Sequence, residues 1–535
     1  MVLNRKKLFT GSASKIDAKQ FSNLVTPSVD KQLAGRAAGV QVTTSGGLVN
    51  APARIRIRGT QSISGNNDPL IVVDGIPIIS GNLAATTNSN AIGDINPADI
   101  ESIEVLKDGS ATAIYGSRAA GGVILITTKR GDKSGNKSKV DYNVTMGFNS
   151  PLKKFDLLNA QQFITIANEK FTNAGLTPKA FMDANNTNTD WQSEVLTNNA
   201  FVQNHTLSLQ GGNAKTSYYF SLNYSKQQGV VISNLNKSYR ARLNIEHEVN
   251  KYVKFGNNLT ISRQEDYDQN NGSNSLGGAI AATLRLLPNV SPYASNPSGY
   301  NINYYAATPA NTMGFGANLQ GVDDNWFNVA FTLRNNVQYS DKYRIINNFF
   351  MEVSPVKGLK LRSQASADYF NDMSFLSYDP RHGDGGGATN GVADNTSQNI
   401  LRYVWQNYFN YNLNIKKHSF YLTGGYELQG TNSRFFEATN QNISDIFFTK
   451  QNVISNTSVI QQTAGNYTQT GIDGLFGRFN YDFASKYFVQ ASIRRDGQSS
   501  LAADKRYGTF PGFSVGWRPS EEKFWKGGLS KCFRS

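Results

Sequence analysis

The sequence predicts a mainly β protein in two parts, a small α+β domain followed by a long series of antiparallel strands. Three observations support this prediction. Residues 24–131 combine short helix and strand patterns, residues 132–535 alternate apolar and polar side chains, and tight turns in that second part alternate with long polar connections. A period of two along the chain is the pattern of a strand with two chemically different faces.

Composition and charge limit the classes of function. The 535 residues carry a net charge of +14, but basic and acidic residues are interspersed and no nucleic-acid-binding motif accompanies them. This pattern argues against a nucleic-acid partner. Mean hydropathy is −0.42, and no apolar run approaches the roughly 18 residues that a membrane-spanning helix requires. The single cysteine, Cys532, excludes an internal disulfide framework.

A strand with one strongly basic face is predicted in the small domain. In "ARIRIRG" the period of two places Arg54, Arg56 and Arg58 on one face and Ile55 and Ile57 on the other. The simplest interpretation is that this face of the strand is exposed to solvent. The alternative is a face that binds carboxylates through charge-assisted hydrogen bonds.

The rest of the small domain can be divided into short elements. "SVDKQLAGRAAGVQV" predicts a short helix closed by Gly39 and then a strand, and "PLIVVDGIPI" predicts a hairpin that turns at Asp74 and Gly75. A capped helix start after Asn96, the strand "SIEVLK", a second short helix and the strand "VILITT" follow. We expect one small sheet that includes Ile55, Val72 and Ile124.

The second part predicts long strands joined by short turns on one side and long loops on the other. In "KTSYYFSLNYSKQ" and "YRARLNIEHEV" the residues expected to face outward are Tyr218, Phe220, Leu222 and Leu243, and those expected to face inward are Asn223, Arg242 and Asn244. Short turns are expected near residues 250–251, 354–358, 416–418 and 484–486, and long loops at 263–335 and 376–396.

These two faces favour an antiparallel transmembrane β-barrel. Strands of about ten residues with an aromatic and aliphatic outer face, a polar inner face and aromatic residues near strand ends are typical of outer-membrane barrels. Soluble strands are usually about half that length. A soluble or surface-attached β-sheet binding protein is the alternative, with the apolar face packed in a core.

Catalytic and metal sites are not predicted. The histidines stand far apart, without zinc-ligand spacing, and no nucleophile or carboxylate pair has a credible partner; the histidines are His205, His247, His382 and His418. We therefore expect no enzyme and no cofactor. "DPRHGDGGGATNG", from Asp379, could hold calcium in a surface loop but lacks a recognisable ligand pattern. "GDKSGNKS", from Gly131, fails the spacing of a phosphate-binding loop and is better interpreted as a flexible link.

Four blocks of the small domain resemble the plug domain of TonB-dependent outer-membrane transporters, in the version of the SusC/RagA family of Bacteroidota. The blocks are "LAGRAAGVQVTTSGG", "IRIRGTQS", "DPLIVVDGIPI" and "DIESIEVLKDGSATAIYGSRAAGGVILITTKRG". Segments such as "FPGFSVGWRPSEEKFW" resemble the barrel of the same family more loosely. The resemblance implies an N-terminal linker at 1–23, a plug at 24–131 and, at 132–535, the N-terminal part of an incomplete antiparallel transmembrane β-barrel.

The resemblance also implies a structural or latching role for a set of plug residues. In such proteins the plug sits inside a wide barrel with a polar inner wall, so the arginine face would bind carboxylates of that wall or of the plug itself. The residues are Arg54, Arg56, Arg58, Gly59, Asp74, Gly75, Lys107, Gly109, Tyr115, Gly116, Arg118, Gly121 and Gly122. The sequence assigns no substrate-binding residue.

The function that the resemblance implies is import of a bulky nutrient, a glycan or an oligopeptide, across the outer membrane. TonB would supply energy by pulling on the N-terminal segment, and a SusD-like lipoprotein would help to capture substrate. Roughly twelve strand patterns follow the plug, about half of the roughly 22 in the family's barrels. We therefore expect a fragment that lacks the signal peptide, the TonB box and the later strands, and that does not transport alone. The alternatives are a ligand-sensing receptor without transport and a non-functional remnant.

Overall fold

A computed structural model describes most of the chain. The described residues are 13–17, 28–44, 47–63, 67–84, 86–87, 89–133, 138–268, 278–302, 327–522 and 524–525. The closing segment "GGLSKCFRS", most of the expected linker at 1–23 and part of "GDKSGNKS" lie outside them. The described residues form a small domain and a large antiparallel sheet, which we call the plug and the wall.

The plug contains seven short strands and two short α-helices among its described residues. They are β1 (Ala13–Asp17), α1 (Val29–Gln32), β2 (Val40–Thr44), β3 (Ala53–Ile57), β4 (Leu70–Val73), β5 (Ile76–Pro77), β6 (Ile100–Leu106), α2 (Gly109–Thr112) and β7 (Val123–Thr128). Five strands form a sheet in the order β1-β6-β7-β4-β5, in which β4 and β7 are parallel. Strands β2 and β3 form a separate two-stranded sheet.

The prediction of one sheet containing Ile55, Val72 and Ile124 is wrong for Ile55. Val72 and Ile124 lie in the five-stranded sheet, whereas Ile55 lies in β3, which pairs with β2. Strand β3 packs its isoleucine face on that sheet, because Ile55 and Ile57 belong to the same buried cluster as Ile124. A period-two pattern predicts which face is buried, but it does not identify the strand that supplies the hydrogen bonds.

Two other boundaries in the plug differ from expectation. Strand β3 ends at Ile57, and Arg58 has a φ of 58°, so Arg58 leaves the strand and does not share the face of Arg54 and Arg56. Strand β1 lies within the expected linker and pairs antiparallel with β6. The segment "ASKID" contains one large apolar residue, Ile16, which is buried, and so lacks the alternation that would have predicted a strand.

The wall is formed by twelve strands among the described residues, each paired antiparallel with its neighbours in sequence. They are β8 (Lys139–Asn149), β9 (Ala200–Gly212), β10 (Thr216–Gln228), β11 (Leu235–Glu248), β12 (Val253–Tyr267), β13 (Val337–Val353), β14 (Leu359–Tyr378), β15 (Val392–Ile415), β16 (His418–Ile443), β17 (Thr457–Phe483), β18 (Tyr487–Gln498) and β19 (Tyr507–Trp517). The order in space is the order in sequence, from β8 at one edge to β19 at the other.

The predicted asymmetry of the connections is confirmed. One rim carries tight turns at 213–215, 249–252, 354–358, 416–417 and 484–486, and the other carries the connections 150–199, 229–234, 268–336, 379–391, 444–456 and 499–506. The second rim also holds the helices α3 (Ala160–Asn173), α4 (Trp191–Val195), α5 (Ala279–Thr283) and α6 (Val329–Asn335). Among the described residues, no helix is long and apolar enough to span a bilayer.

The predicted loops at 263–335 and 376–396 are wrong at their ends, because the strands extend into them. Strand β12 continues to Tyr267, β14 continues to Tyr378, and β15 begins at Val392. At the end of β12, the neutral but polar Gln264 is buried against the plug, and its outward neighbour Glu265 is charged. Polar residues on both faces remove the apolar alternation that identifies a strand.

The predicted assignment of faces is confirmed in the hairpin of β10 and β11. Phe220 is opposite Leu243, and both are 36% exposed on the outward face. Arg242 and Asn244 on the opposite face are only 4% and 2% exposed, because the plug covers them. Leu222 points outward and Asn223 inward, as predicted.

Cysteine labelling tests this orientation. In a Cys532→Ser background, we expect Phe220→Cys in isolated outer membranes to resist a membrane-impermeant maleimide, because the outward face of an outer-membrane barrel meets hydrocarbon. Leu176→Cys is the control, since Leu176 is 57% exposed in the connection 150–199. Equal labelling rates at the two positions would contradict a lipid-facing outer surface.

Candidate functional site: the interface between plug and wall

The inward face of the wall is polar and lies against the plug. Strands β10–β18 contact plug turns and strand ends through hydrogen bonds and ion pairs. Two small apolar clusters, around Ile79 and Ile114, add further contacts. Three clusters of charged residues account for the strongest of these contacts. Each places a buried arginine between plug and wall, where charge-assisted hydrogen bonds are stronger than neutral ones.

The first cluster surrounds the hairpin turn between β4 and β5. Asp74 and Gly75 have φ values of 50° and 91°, as the favoured two-residue hairpin turn requires. The Asp74 carboxylate accepts a 2.6 Å hydrogen bond from Arg242 Nη2 of the wall, and bonds of 3.0 and 2.7 Å from the backbone N–H and hydroxyl of Thr128. The turn therefore presents a carboxylate whose charge is compensated by the wall.

The second cluster centres on Arg344 of β13, whose side chain is 1% exposed. Its guanidinium binds Asp368 of the neighbouring strand through two bonds of 2.8 and 2.7 Å. The remaining donors reach the plug, at Asp94 (3.1 Å) and at the backbone oxygens of Ala91 and Ile79 (both 2.7 Å). This one arginine thus joins two wall strands and two separate plug segments.

The third cluster joins the plug segment 114–118 to strands β16 and β18. Arg494 donates to Asp496 (2.5 Å), to Glu427 (3.0 Å) and to the backbone oxygen of Ile114 (2.8 Å). Arg118 of the plug donates to the same Glu427. Two cations thus share two buried carboxylates across the interface.

Gly116 permits the close approach of these groups. Its φ is 69°, and a Cβ atom at this position would collide with the carboxylate of Asp496 and with Arg494. The adjacent backbone N–H of Ser117 donates to Asp496 at 3.1 Å. Any larger residue at 116 would therefore force the plug away from β18.

The predicted arginine face binds carboxylates of the plug. Arg56 pairs with Asp68 and Arg58 pairs with Asp108. Arg54 is exposed, and within the described part of the chain it has no side-chain partner. The arginines that bind across the interface come mainly from the wall.

The other predicted plug residues have different positions. Lys107 donates to Ser14 and to the backbone oxygen of Ala38 within the plug. Tyr115 packs beside wall residues Tyr408 and Phe476, and burial raises the pKa of its hydroxyl to about 12. The remaining glycines lie in turns and helix ends of the plug; they are Gly59, Gly109, Gly121 and Gly122.

The sequence did not identify several residues of these clusters, namely Asp94, Arg344, Asp368, Glu427 and Arg494. Arg344 and Arg494 occupy inward positions in a period-two strand pattern, and this pattern could have predicted that both side chains face inward. The pattern could not identify their partners, since Arg344 and Ile79 are 265 residues apart.

The sequence expectations on metal ions concern the histidines and the possible calcium loop. Among the described residues, no group of three histidine, cysteine or acidic side chains could hold a metal ion. His382 lies in the connection 379–391, where it accepts a 2.7 Å hydrogen bond from the backbone N–H of Asn328 and burial lowers its pKa to about 3. In the proposed calcium loop, the Asp379 carboxylate is bound by Arg381.

Comparison with known proteins identifies the two parts of the chain. A family profile, the TonB-dependent Receptor Plug Domain, matches residues 5–123. TonB-dependent receptor P3 of Formosa agariphila is 30% identical over 98% of this chain and 48% of its own length. TonB-dependent receptor SusC of Bacteroides thetaiotaomicron is 30% identical over 98% of this chain and 50% of its own length. The chain spans about half the length of the curated relatives it matches.

Solved structures show the same fold. The RagAB peptide transporter matches with a TM-score of 0.79 and 23% identity, covering 97% of this chain and 58% of that one. The ferric citrate transporter FecA matches with a TM-score of 0.53 and 11% identity, over 95% of this chain and 59% of that one. The relatives are receptors and transporters rather than enzymes. The plug match, the SusC-type relatives and this fold together show that the chain belongs to the SusC/RagA family of TonB-dependent receptors.

Proposed function

We propose that this chain supplies the plug and part of the barrel wall of an outer-membrane importer for a bulky nutrient, a glycan or an oligopeptide. TonB would provide the energy, and a SusD-like lipoprotein would deliver the substrate. The RagAB neighbour is a peptide transporter and SusC is a TonB-dependent receptor, and membership of their family supports this proposal.

The polar character of the interface between plug and wall is the observation that carries the proposal. Apolar packing is the more effective way to hold a plug permanently. The attraction within a buried ion pair contributes little more free energy than the removal of its two charges from water costs. Here the plug has its own apolar core, to which the wall contributes Ile346, and only two small apolar clusters among the described residues, around Ile79 and Ile114, join plug and wall outside that core. The charged clusters give the plug a defined position, yet water can replace their partners when the plug moves.

The position of β1 suggests how a pulling force would act. This strand is at the edge of the five-stranded plug sheet and pairs with β6 through five residue pairs. A force applied from the N-terminal side reaches β1 before any other described strand. Its release would expose the edge of β6 and weaken the sheet that carries the Asp74 turn.

An uptake experiment tests the proposed function. In the source organism, we expect gene deletion to abolish energy-dependent uptake of either a fluorescent oligopeptide mixture or a fluorescent oligosaccharide mixture, with recovery on complementation. A protonophore should abolish the same uptake. Binding of a mixture without uptake would support a sensing receptor, and neither binding nor uptake would support a non-functional remnant.

Variants of the Asp74 and Arg242 pair test whether this buried ion pair holds the plug against the wall. Both side chains are 3% exposed, so Arg242→Ala should destabilise the seated plug by about 3–5 kcal/mol, because it leaves a buried carboxylate uncompensated. Adding Asp74→Ala should cost less than the sum of the two single changes. Pulse proteolysis of the plug in increasing urea measures these differences.

The matched control is an ion pair at the short-turn rim. Lys133, in the link that follows the plug, pairs with Glu248 of the wall, and their side chains are 32% and 44% exposed. Lys133→Ala should change plug stability by less than about 1 kcal/mol, as is usual for exposed pairs. If Arg242→Ala had no larger effect than Lys133→Ala, the buried pair would not latch the plug.

A further inference from the structure

A row of four aromatic side chains and one arginine crosses the outward face of five neighbouring wall strands. His205, Tyr224, Tyr239, Arg263 and Tyr343 are successive direct partners in the register of β9–β13. The rings of Tyr224 and Tyr239 are 5.3 Å apart, and the Arg263 guanidinium carbon is 5.4 Å from the centre of the Tyr343 ring. We call these five residues the tyrosine row.

The rows on either side of the tyrosine row have opposite chemistry. The next outward row toward the short-turn rim is apolar and contains Leu207, Leu222, Ala241, Ile261 and Ile345. The next row toward the long connections is polar and contains Gln203, Lys226, Lys237, Glu265 and Asp341. Aromatic side chains between an apolar and a charged band mark the boundary between hydrocarbon and headgroups.

The charges of this polar row are not balanced. Lys226 and Lys237 are directly opposite each other on β10 and β11, an arrangement that is destabilising for like charges. Glu265 accepts from Lys237 at 3.2 Å and lies 3.5 Å from Arg263. Within the described part of the chain, no carboxylate lies within ion-pair distance of Lys226. An anion between the two lysines would remove their repulsion.

The second carboxylate of the patch is already engaged. Asp341 binds Arg263 through two hydrogen bonds of 2.9 Å. Three cations thus face two carboxylates, and the surplus positive charge lies beside the rings of Tyr224 and Tyr239. None of these charged side chains is used to bind the plug, because they all lie on the outward face.

We propose that Lys226 and Lys237 bind a phosphate group of a phosphorylated glycolipid in the outer leaflet. Its sugar ring lies against Tyr224 and Tyr239, and its acyl chains lie on the apolar row below them. Two ammonium groups match a phosphate by charge, and tyrosine faces offer flat apolar surface beside a polar edge. This lipid site goes beyond nutrient import and rests only on the proposed outer-membrane location.

Lipid retention tests the proposal. The protein is extracted from outer membranes and transferred to phosphatidylcholine nanodiscs that contain bisphosphorylated lipid A or the same lipid after removal of its phosphates. Native mass spectrometry then counts retained lipid. We expect retention of the phosphorylated lipid, reduced at least about tenfold in the double variant Lys226→Gln with Lys237→Gln.

The controls distinguish the effect of net charge from the effect of the position of the lysines, and a lipid phosphate from free phosphate. Lys215→Gln with Lys251→Gln removes the same charge from the short-turn rim and should leave retention unchanged, as should Lys226→Arg with Lys237→Arg. A heat-dependent shift in gel mobility verifies folding, and Lys226→Gln alone replaces a double variant that fails to fold. Equal retention of the dephosphorylated lipid, equal loss in the rim variant, or displacement by inorganic phosphate would each overturn the proposal. Retention that persists when uptake is absent separates this site from the import function.

Discussion

The burial of wall arginines against the plug is the interaction on which the arrangement depends. Arg242, Arg344 and Arg494 each occupy an inward position on a wall strand, and each donates to a carboxylate or backbone oxygen of the plug. A buried guanidinium with unpaired donors is costly. Arg242 takes its carboxylate from the plug, whereas Arg344 and Arg494 also pair with wall carboxylates and need the seated plug only for their remaining donors. The ion pairs therefore specify the position of the plug more than they add net stability.

This constraint explains the two-faced chemistry of the wall. Strand alternation places one face of β10–β13 toward the plug, and most residues on that face are polar, with Tyr219, Ile346 and Phe350 as exceptions. The intervening residues meet a different environment, and their rows change from apolar through aromatic to charged toward the long connections. A shift of register by one residue would exchange the two faces, so both environments depend on the same pairing.

The sequence allowed the fold class, the side of each turn and the inward positions of Asn223, Arg242 and Asn244 to be predicted, because these follow from local periodicity. It did not allow the strand partner of Ile55 or the contacts of the arginine face to be predicted. Those features depend on tertiary packing: β3 lies on the sheet by its apolar face, and Arg56 is adjacent to Asp68 of its own domain. Pairs such as Arg344 and Asp94 join segments 250 residues apart, and no local pattern reports such a distance.

The central claim is that the plug is a separately removable unit held in register by compensated charges. Hydrogen exchange measured by mass spectrometry under native conditions tests it most directly, because it resolves the opening free energy of each segment. We expect the amides of plug strands β4 and β7 to exchange through an opening reaction whose free energy is lower than that of wall strands β11–β13. The wall strands should stay protected while the plug exchanges. A single opening free energy shared by plug and wall would contradict it.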